Sequence, residues 1–152
     1  MEIIKYSYEE IENLCVKVSE EIKNTDYKVD CIIGVAVSGL FPAMIMARLL
    51  NVKNVISVSA VSYQGKEQKE MKLLNAPDKA AQKGKNILIV DDICDSGNTL
   101  IFLTKLLKDY QVKEIKSATV FLNKEHHKIV PDFYGEEINK WVAFPWDKFE
   151  KE

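Results

Sequence analysis

Residues 86–100 read NILIVDDICDSGNTL, and this stretch decides the fold that we predict for the chain. The apolar run Asn86 to Val90 is typical of a short buried strand, and apolar residues at helical spacing follow from Thr99 to Leu107. Adjacent carboxylates and a turn of small residues lie between the strand and the helix. In an open α/β sheet, ligands bind outside the carboxyl ends of the strands, and this segment is such an end.

The rest of the chain repeats the alternation of strand and helix patterns. Tyr8 to Ile22 carries apolar residues three and four positions apart, which predicts an amphipathic helix that Ser7 could cap. The further elements that we predict are a strand in CIIGVAV (31–37), a helix in LFPAMIMARLL (40–50), and strands in NVISVSAV (54–61) and IKSATVFL (115–122). No repeat or linker divides the chain. We therefore predict a single α/β domain over residues 1–152, with a mainly parallel central sheet flanked by helices.

Two segments do not follow this alternation. Residues 62–84 are polar and show weak periodicity, and a stretch of this length inside a compact domain is usually functional or disordered. We predict that residues 62–84 form a flexible lid. From Pro131 onward the chain is rich in aromatic residues, and we predict a less regular tail there.

The composition restricts the classes of partner. The chain has 152 residues and a formal net charge of −2, which argues against a nucleic acid or an anionic membrane as partner, since both attract basic surfaces. We find no signal peptide and no apolar run near the ~20 residues of a membrane span. Cys15, Cys31 and Cys94 are odd in number and lack metal-type spacing, so we predict a reduced, cytoplasmic protein.

The turn at residues 96–99 offers backbone N–H groups that, with the following helix N-terminus, can surround a phosphate. Carboxylates beside that turn would repel a phosphate unless they bind a sugar or a cation. Asp91 and Asp92 can accept hydrogen bonds from vicinal hydroxyls, or hold Mg²⁺, which takes few protein carboxylates. The structural alternative is a pair of solvated carboxylates and an ordinary helix cap. A phospho-acceptor receiver domain is a further alternative. In those proteins the acidic strand end lies at the start of the chain, whereas here it lies past the middle and is followed by D-S-G-N-T, which argues against this alternative.

The run ILIVDDICDSGNTL resembles the phosphoribosyl-diphosphate signature of the type I phosphoribosyltransferases, two acidic residues followed by a D-[ST]-G-x-T turn. VSGLFPAMIMARLL resembles their diphosphate loop and helix, SYQGKEQKEMKLL their lid, and residues 123–152 their base-binding hood. The short bacterial and archaeal 6-oxopurine enzymes are the most similar members. This resemblance implies transfer of a phosphoribosyl group from 5-phosphoribosyl 1-diphosphate to N9 of guanine, xanthine or hypoxanthine. It also implies Mg²⁺ as cofactor and a homodimer or homotetramer.

The resemblance further implies roles for individual residues. Asp95 would be the catalytic residue, exchanging a proton with N7 of the purine. The phosphate and ribose would be bound by Asp91, Asp92, Ser96, Gly97, Asn98 and Thr99. The diphosphate would be bound by Ser38, Gly39 and Lys69. The base would be bound by Lys124, Trp141 and Val142, and Mg²⁺ by Asp91, Asp92 and Asp147.

One departure from the family leaves alternatives open. Val37 stands where many relatives carry a basic residue in the diphosphate loop, which slightly favours a non-catalytic nucleotide sensor on the same fold. A phosphoribosyltransferase for a pyrimidine or another base is a third possibility, although Lys124 and Trp141 favour a purine. On sequence alone Lys124 is a solvated charge and an isolated Trp is a packing residue. Because residues 123–152 resemble the hood, we interpret Trp141 as a base-binding residue. Trp146 is still expected to pack in the core.

Overall fold

Five parallel strands form the central sheet of the computed structural model, which describes residues 2–67 and 69–151. In chain order the elements are β1 (Ile3–Lys5), α1 (Tyr8–Lys23), β2 (Cys31–Val35), α2 (Leu40–Leu49), β3 (Val55–Val58), β4 (Ala60–Gln64), β5 (Lys69–Leu73), α3 (Lys79–Gln82), β6 (Asn86–Cys94), α4 (Asn98–Lys108), β7 (Glu114–Asn123), β8 (Phe133–Ile138), β9 (Trp141–Ala143) and a 3₁₀ turn (Asp147–Phe149). The order across the sheet is β3-β2-β6-β7-β8. The predicted α/β fold with a mainly parallel sheet is confirmed.

Helix α1 begins where the sequence predicts. The Ser7 hydroxyl accepts a hydrogen bond from the Glu10 N–H at 3.1 Å, which satisfies one of the free donors of the first turn. The residues spaced three and four apart are fully buried against the sheet, namely Ile11, Cys15, Val18 and Ile22. The predicted amphipathic helix is therefore confirmed together with its cap.

The central strands are apolar throughout because both faces of the sheet are covered. Helices α1 and α2 pack on one face, against alternate residues such as Ile32, Leu88 and Val90. Helix α4 packs on the other face, against Ile33 and Ile89. Strands buried on both faces read as continuous hydrophobic runs instead of alternating patterns, which is how the sequence presents β2 and β6.

The strand order reverses between β2 and β6. From β2 the chain passes through α2, on one face, to the edge strand β3. It then returns to the other side of β2 as β6, and continues through α4, on the opposite face, to β7. The connections that leave β2 and β6 therefore diverge, and the carboxyl ends of these strands border an open crevice, where ligands bind in such sheets.

Residues 62–84 are more regular than predicted. Strands β4 and β5 pair as an antiparallel ribbon in which Tyr63 lies opposite Glu70, and the Tyr63 hydroxyl donates to the Glu70 carboxylate at 2.6 Å. The segment then joins the domain through α3, where the Gln82 side chain is buried. The lid is thus a hairpin over its first half, its flexibility remains a prediction, and Gln68 lies outside the described residues.

The tail is also more regular than predicted. Strand β8 pairs with β7 and forms an edge of the central sheet, so the prediction of a less regular tail after Pro131 is wrong for this part. Strand β9 pairs in parallel with β1, and Trp141 lies opposite Ile3. As predicted, Trp146 is a packing residue: it is half-buried against the core, and its indole stacks on Phe144 with ring centroids 4.8 Å apart.

Two further sequence predictions concern membrane-spanning helices and the three cysteines. Within the described ranges, no helix combines the length and the apolar character needed to cross a membrane. Cys15, Cys31 and Cys94 are all free and buried. Burial raises the pKa of the Cys94 thiol to about 11, so it is protonated near neutral pH. These cysteines act as small core residues.

Candidate functional site

The acidic pair belongs to strand β6, which continues four residues beyond the apolar run. Asp91 lies opposite Thr119 of β7, and the pairing of the two strands persists to Cys94. The Asp91 carboxylate accepts a hydrogen bond from the Asp92 N–H, and the Asp92 carboxylate accepts one from the Ile93 N–H, each at 2.8 Å. Both carboxylates are half-buried at the carboxyl end of the strand. Their backbone is therefore held rigidly by the sheet.

The surroundings of Asp91 and Asp92 disfavour the simultaneous ionisation of both carboxyl groups. Burial raises the pKa of Asp91 well above its usual range, and the charge of Asp92 raises it further. Burial also raises the pKa of Asp92, with a smaller contribution from the charge of Asp147. None of the ion pairs formed within residues 2–67 and 69–151 includes any of these three carboxylates. A bound cation would relieve this repulsion.

The turn after β6 forms a small polar cavity. Gly97 precedes α4 with a φ of 85°, which favours glycine, and a Cβ there would meet the Ile129 side chain. The first backbone hydrogen bond of the helix runs from the Ile101 N–H to the Gly97 carbonyl at 2.9 Å. The Asn98 N–H donates to the Ser96 hydroxyl at 3.3 Å, and the N–H groups of Thr99 and Leu100 remain available to an anion. Residues 91–100 line a cavity of about 240 Å³ around this turn. The turn therefore has the geometry of a phosphate site.

A second cavity, of about 460 Å³, adjoins the first. Trp141 and Val142 of β9 line it, and 61% of the Trp141 surface is exposed, which is unusual for a large aromatic residue outside a binding site. Asp92, Ile93 and Asp95 line both cavities. The two cavities therefore adjoin along a shared wall, with a polar end at the turn and an aromatic end at β9.

The loop after β2 lies beside the acidic pair. A Cβ on Gly39 would clash with the Val35 carbonyl oxygen and would lie 3.0 Å from the Val90 carbonyl oxygen and 3.1 Å from the Asp91 Cα, so only glycine fits here. The Ala36–Val37 peptide bond in this loop is cis, and 82% of the Val37 surface is exposed. Ser38 lines a third cavity, of about 480 Å³, together with Asp147. Asp147 also lines the aromatic cavity, so the loop, the acidic pair and the tail border one crevice.

Apart from Gly39 in the loop after β2, two predicted residues lie outside these cavities. Lys124 is exposed, and its ammonium nitrogen lies 3.6 Å from a Glu137 carboxylate oxygen. Lys69 is exposed on β5 of the hairpin. Neither side chain lines the three cavities described above. Their roles remain predictions that require movement of the Lys124 side chain and of the hairpin.

Several side-chain and backbone contacts at the site carry no signal in the sequence. The Asn123 side-chain amide donates to the Asp95 carboxylate at 2.8 Å. The Lys128 N–H donates to the Ser96 carbonyl at 2.8 Å, and its ammonium group donates to the Asn98 side chain at 3.2 Å. These contacts join the β7–β8 connection to the turn. They link positions about thirty residues apart, so local spacing could not predict them.

The donor set suits Mg²⁺. Within the described residues, no group of three or more His, Cys, Asp or Glu side chains is close enough to enclose a metal ion. Asp91 and Asp92 instead present two adjacent carboxylates whose repulsion a cation would relieve. Mg²⁺ usually binds one or two carboxylates and completes its shell with water and substrate oxygens. The residues present thus fit a magnesium ion.

Comparisons with known proteins agree with this geometry. The family model described as "Phosphoribosyl transferase domain" matches residues 7–150. The xanthine-guanine phosphoribosyltransferase of Idiomarina loihiensis is 35% identical over 117 residues, which cover 76% of this chain and 70% of that protein. A purine phosphoribosyltransferase from Pyrococcus horikoshii has a TM-score of 0.85 at 28% identity, covering 100% of this chain and 99% of that one. The Helicobacter pylori xanthine-guanine-hypoxanthine enzyme has a TM-score of 0.84 at 25% identity, covering 95% and 94%.

We expect Gly97→Ala to destabilise the domain more than Gly84→Ala. Both glycines have positive φ, of 85° and 73°, so both substitutions incur the left-handed penalty of about 1–2 kcal/mol. Only Gly97 is crowded, since a Cβ at Gly84 meets nothing within 4 Å. The methyl group against Ile129 should therefore cost about 1–3 kcal/mol more. Urea denaturation measures the difference, and equal losses of unfolding free energy would contradict the crowding at the turn.

We expect Asp91→Asn to stabilise the metal-free domain increasingly as the pH rises. Because the pKa of Asp91 is raised in the folded state, this carboxyl stays protonated in the native protein above the unfolded pKa of about 3.9, and its contribution to stability falls as the pH increases. Asparagine removes this dependence. Urea denaturation from pH 4 to 7.5 in EDTA should show a growing advantage of the variant over wild type. Asp109→Asn, at an exposed carboxylate after α4, is the control, and a constant difference for Asp91→Asn would refute the assignment.

Proposed function

The chain belongs to the phosphoribosyl transferase domain family, and from this premise we infer that it transfers the 5-phosphoribosyl group of 5-phosphoribosyl 1-diphosphate to N9 of a 6-oxopurine. The products are a nucleoside 5′-monophosphate and diphosphate, so the enzyme is a purine salvage transferase. Relatives named xanthine-guanine phosphoribosyltransferase at 35% identity support this reaction. Guanine, xanthine and hypoxanthine are the candidate acceptors.

One observation carries the proposal: Asp92, Ile93 and Asp95 line both the polar cavity at the turn and the aromatic cavity at β9. A nucleoside monophosphate has a phosphate at one end, a base at the other and a sugar between them. The 5′-phosphate would lie in the turn formed by Ser96, Gly97, Asn98 and Thr99. The ribose hydroxyls would then face Asp91 and Asp92, which are hydrogen-bond acceptors when ionised.

The aromatic cavity suits a flat base. The exposed Trp141 ring offers a stacking face, and base–aromatic stacking contributes about 1–3 kcal/mol per base. The Val142 backbone would read the edge of the base. Lys124 would donate to the 6-oxo group after its ammonium leaves Glu137, a contact that favours an oxopurine over an aminopurine because the amino group is itself a donor.

Asp95 is the proposed catalytic residue. It stands at the boundary between the phosphate turn and the aromatic cavity, where N7 of a bound purine would lie. Its carboxylate would exchange the N7 proton while N9 forms the bond to the sugar. Proton transfer by a positioned side chain contributes about 10²–10⁴-fold to the rate.

The leaving group would be held at the crevice between β2 and β6. The Ser38 hydroxyl and the backbone amides near Gly39 would bind the diphosphate, and Lys69 would reach it from the hairpin. Asp91, Asp92 and Asp147 would hold Mg²⁺, which neutralises charge on the diphosphate. Closure of the hairpin over the crevice would exclude water, which would otherwise hydrolyse the activated sugar.

The exposed Val37 favours a second candidate function, a non-catalytic nucleotide sensor. The diphosphate loop of this chain has no basic residue between Ala36 and Gly39, so the loop binds an anion through amides and the Ser38 hydroxyl alone. A sensor would bind nucleotide without forming product. The cytoplasmic location, the homodimeric or homotetrameric state and the absence of a nucleic-acid partner remain predictions alongside either function.

A base-panel assay tests the proposed reaction. The protein, Mg²⁺ and 5-phosphoribosyl 1-diphosphate are mixed with guanine, xanthine, hypoxanthine, adenine or uracil, and the monophosphate is quantified by chromatography. We expect product with at least one 6-oxopurine, and a loss of about 10²–10⁴-fold in kcat for Asp95→Asn because proton exchange fails. Asp109→Asn is the matched control and should behave as wild type.

Other outcomes of this assay would assign the chain a different function or remove Asp95 from the mechanism. Product with uracil alone would assign the chain to pyrimidine chemistry. Binding of a nucleoside monophosphate by calorimetry, with no product from any base, would establish the sensor instead. Equal turnover by wild type and Asp95→Asn would remove Asp95 from the chemistry.

We expect Val37→Arg to lower the KM for 5-phosphoribosyl 1-diphosphate. The Val37 side chain is 82% exposed, so a longer side chain fits, and a charge-assisted hydrogen bond contributes about 1.5–3 kcal/mol, or roughly tenfold or more in affinity. Val37→Thr is the control, because it preserves the shape and adds no charge. Steady-state kinetics measure both variants, and an identical KM in the two would show that the loop gains nothing from a cation.

A further inference from the structure

Asn123 is the last residue of β7 and makes three contacts at the end of that strand. Its side-chain NH₂ donates to the Asp95 carboxylate at 2.8 Å. Its side-chain oxygen accepts from the Glu125 N–H at 3.0 Å, and its backbone carbonyl lies 2.8 Å from the His127 Nδ1. The side chain is half-buried and lines the aromatic cavity. It therefore joins strand β7 to the turn that carries Asp95.

These contacts allow only one orientation of the Asn123 amide. A backbone N–H can only donate, so the group that faces Glu125 must be the oxygen. A carboxylate can only accept, so the group that faces Asp95 must be the NH₂. The reverse orientation would place two donors together and two acceptors together. The Glu125 N–H and the Asp95 carboxylate thus fix the orientation of the Asn123 amide, and the amide in turn fixes the orientation of the Asp95 carboxylate.

Asp95 has little else to hold it. Its side chain is exposed, and no other side-chain hydrogen bond and no ion pair reaches its carboxylate from the described part of the chain. The terminal torsion of an aspartate is broad, so an unpaired carboxylate rotates readily. Donation to one oxygen holds the carboxylate plane and leaves the second oxygen free. A fixed, half-paired carboxylate suits proton exchange with a ligand.

We propose that Asn123 is a positioning residue that orients the Asp95 carboxylate toward the base. This inference rests on the proposed function, in which Asp95 exchanges the purine N7 proton. Asn123 acts through Asp95 and transfers no proton itself. Misplacement of a catalytic group by about 1 Å can cost 10²-fold in rate, so loss of a single orienting contact has a measurable effect.

Two other roles for Asn123 make different predictions. If it only stabilised the connection after β7, its essential contact would be the one to the Glu125 N–H. If it bound the base directly from the wall of the cavity, its removal would raise the KM for the purine. A positioning residue instead changes the rate of the chemical step and leaves the binding of the base nearly unchanged.

Asn123→Asp separates these roles. The substitution preserves the shape of the side chain and an oxygen for the Glu125 N–H, and it replaces the donor that faces Asp95 with a second acceptor. Asn123→Ala removes both contacts. The protein with Mg²⁺, 5-phosphoribosyl 1-diphosphate and its best 6-oxopurine is followed in single-turnover experiments, which separate chemistry from product release. The KM for the base and the thermal midpoint are measured in parallel.

We expect both variants to lower the single-turnover rate by about tenfold or more, with the KM for the base within about twofold of wild type. In an Asp95→Asn background, Asn123→Asp should cost little further, because the group to be oriented is already lost. A wild-type rate in Asn123→Asp, or a loss confined to the KM, would overturn the inference while the proposed function stands. An inactive wild type would overturn both.

Discussion

The reversal of strand order between β2 and β6 is the constraint on which the site depends. Because α2 and α4 cover opposite faces, the loops that follow the two strands diverge and leave a crevice between them. Gly39 then permits the first loop to lie against the Asp91 backbone. The loop after β2, the acidic pair and the turn after β6 are thus brought together by the order of the strands, before any specific contact between their side chains.

Under the proposed function, the same arrangement would let a chain with a net charge of −2 serve a polyanionic substrate. Phosphate groups would then be met chiefly by amides and hydroxyls of the turn and the loop, which carry no formal charge. The carboxylates are held in the strand by backbone hydrogen bonds, half-buried and in mutual repulsion. They therefore provide a place for a cation, and net charge alone is a poor guide to the ligand.

Much of the fold could be predicted because the strands buried on both faces leave uninterrupted apolar runs in the sequence. The extension of β6 through Asp91 and Asp92 could not, because aspartate is rare in strands and only the pairing with β7 holds it there. Strand β8 could not be predicted because two adjacent glutamates interrupt its apolar pattern, and these are tolerated in an edge strand of the sheet. The site residues were predicted as a set by resemblance, whereas the contact between Asn123 and Asp95 depends on tertiary structure.

The pairing of β1 with β9 has a consequence for how the molecule is made. Ile3 and Trp141 both line the aromatic cavity, yet they come from opposite parts of the chain. During synthesis the crevice between β2 and β6 and the phosphate turn leave the ribosome well before β9 does. The wall of the aromatic cavity is therefore completed last, and its assembly requires closure of a loop that contains nearly the whole domain. Under the proposed function, a nascent chain would thus acquire its phosphate-binding half before it could discriminate between bases.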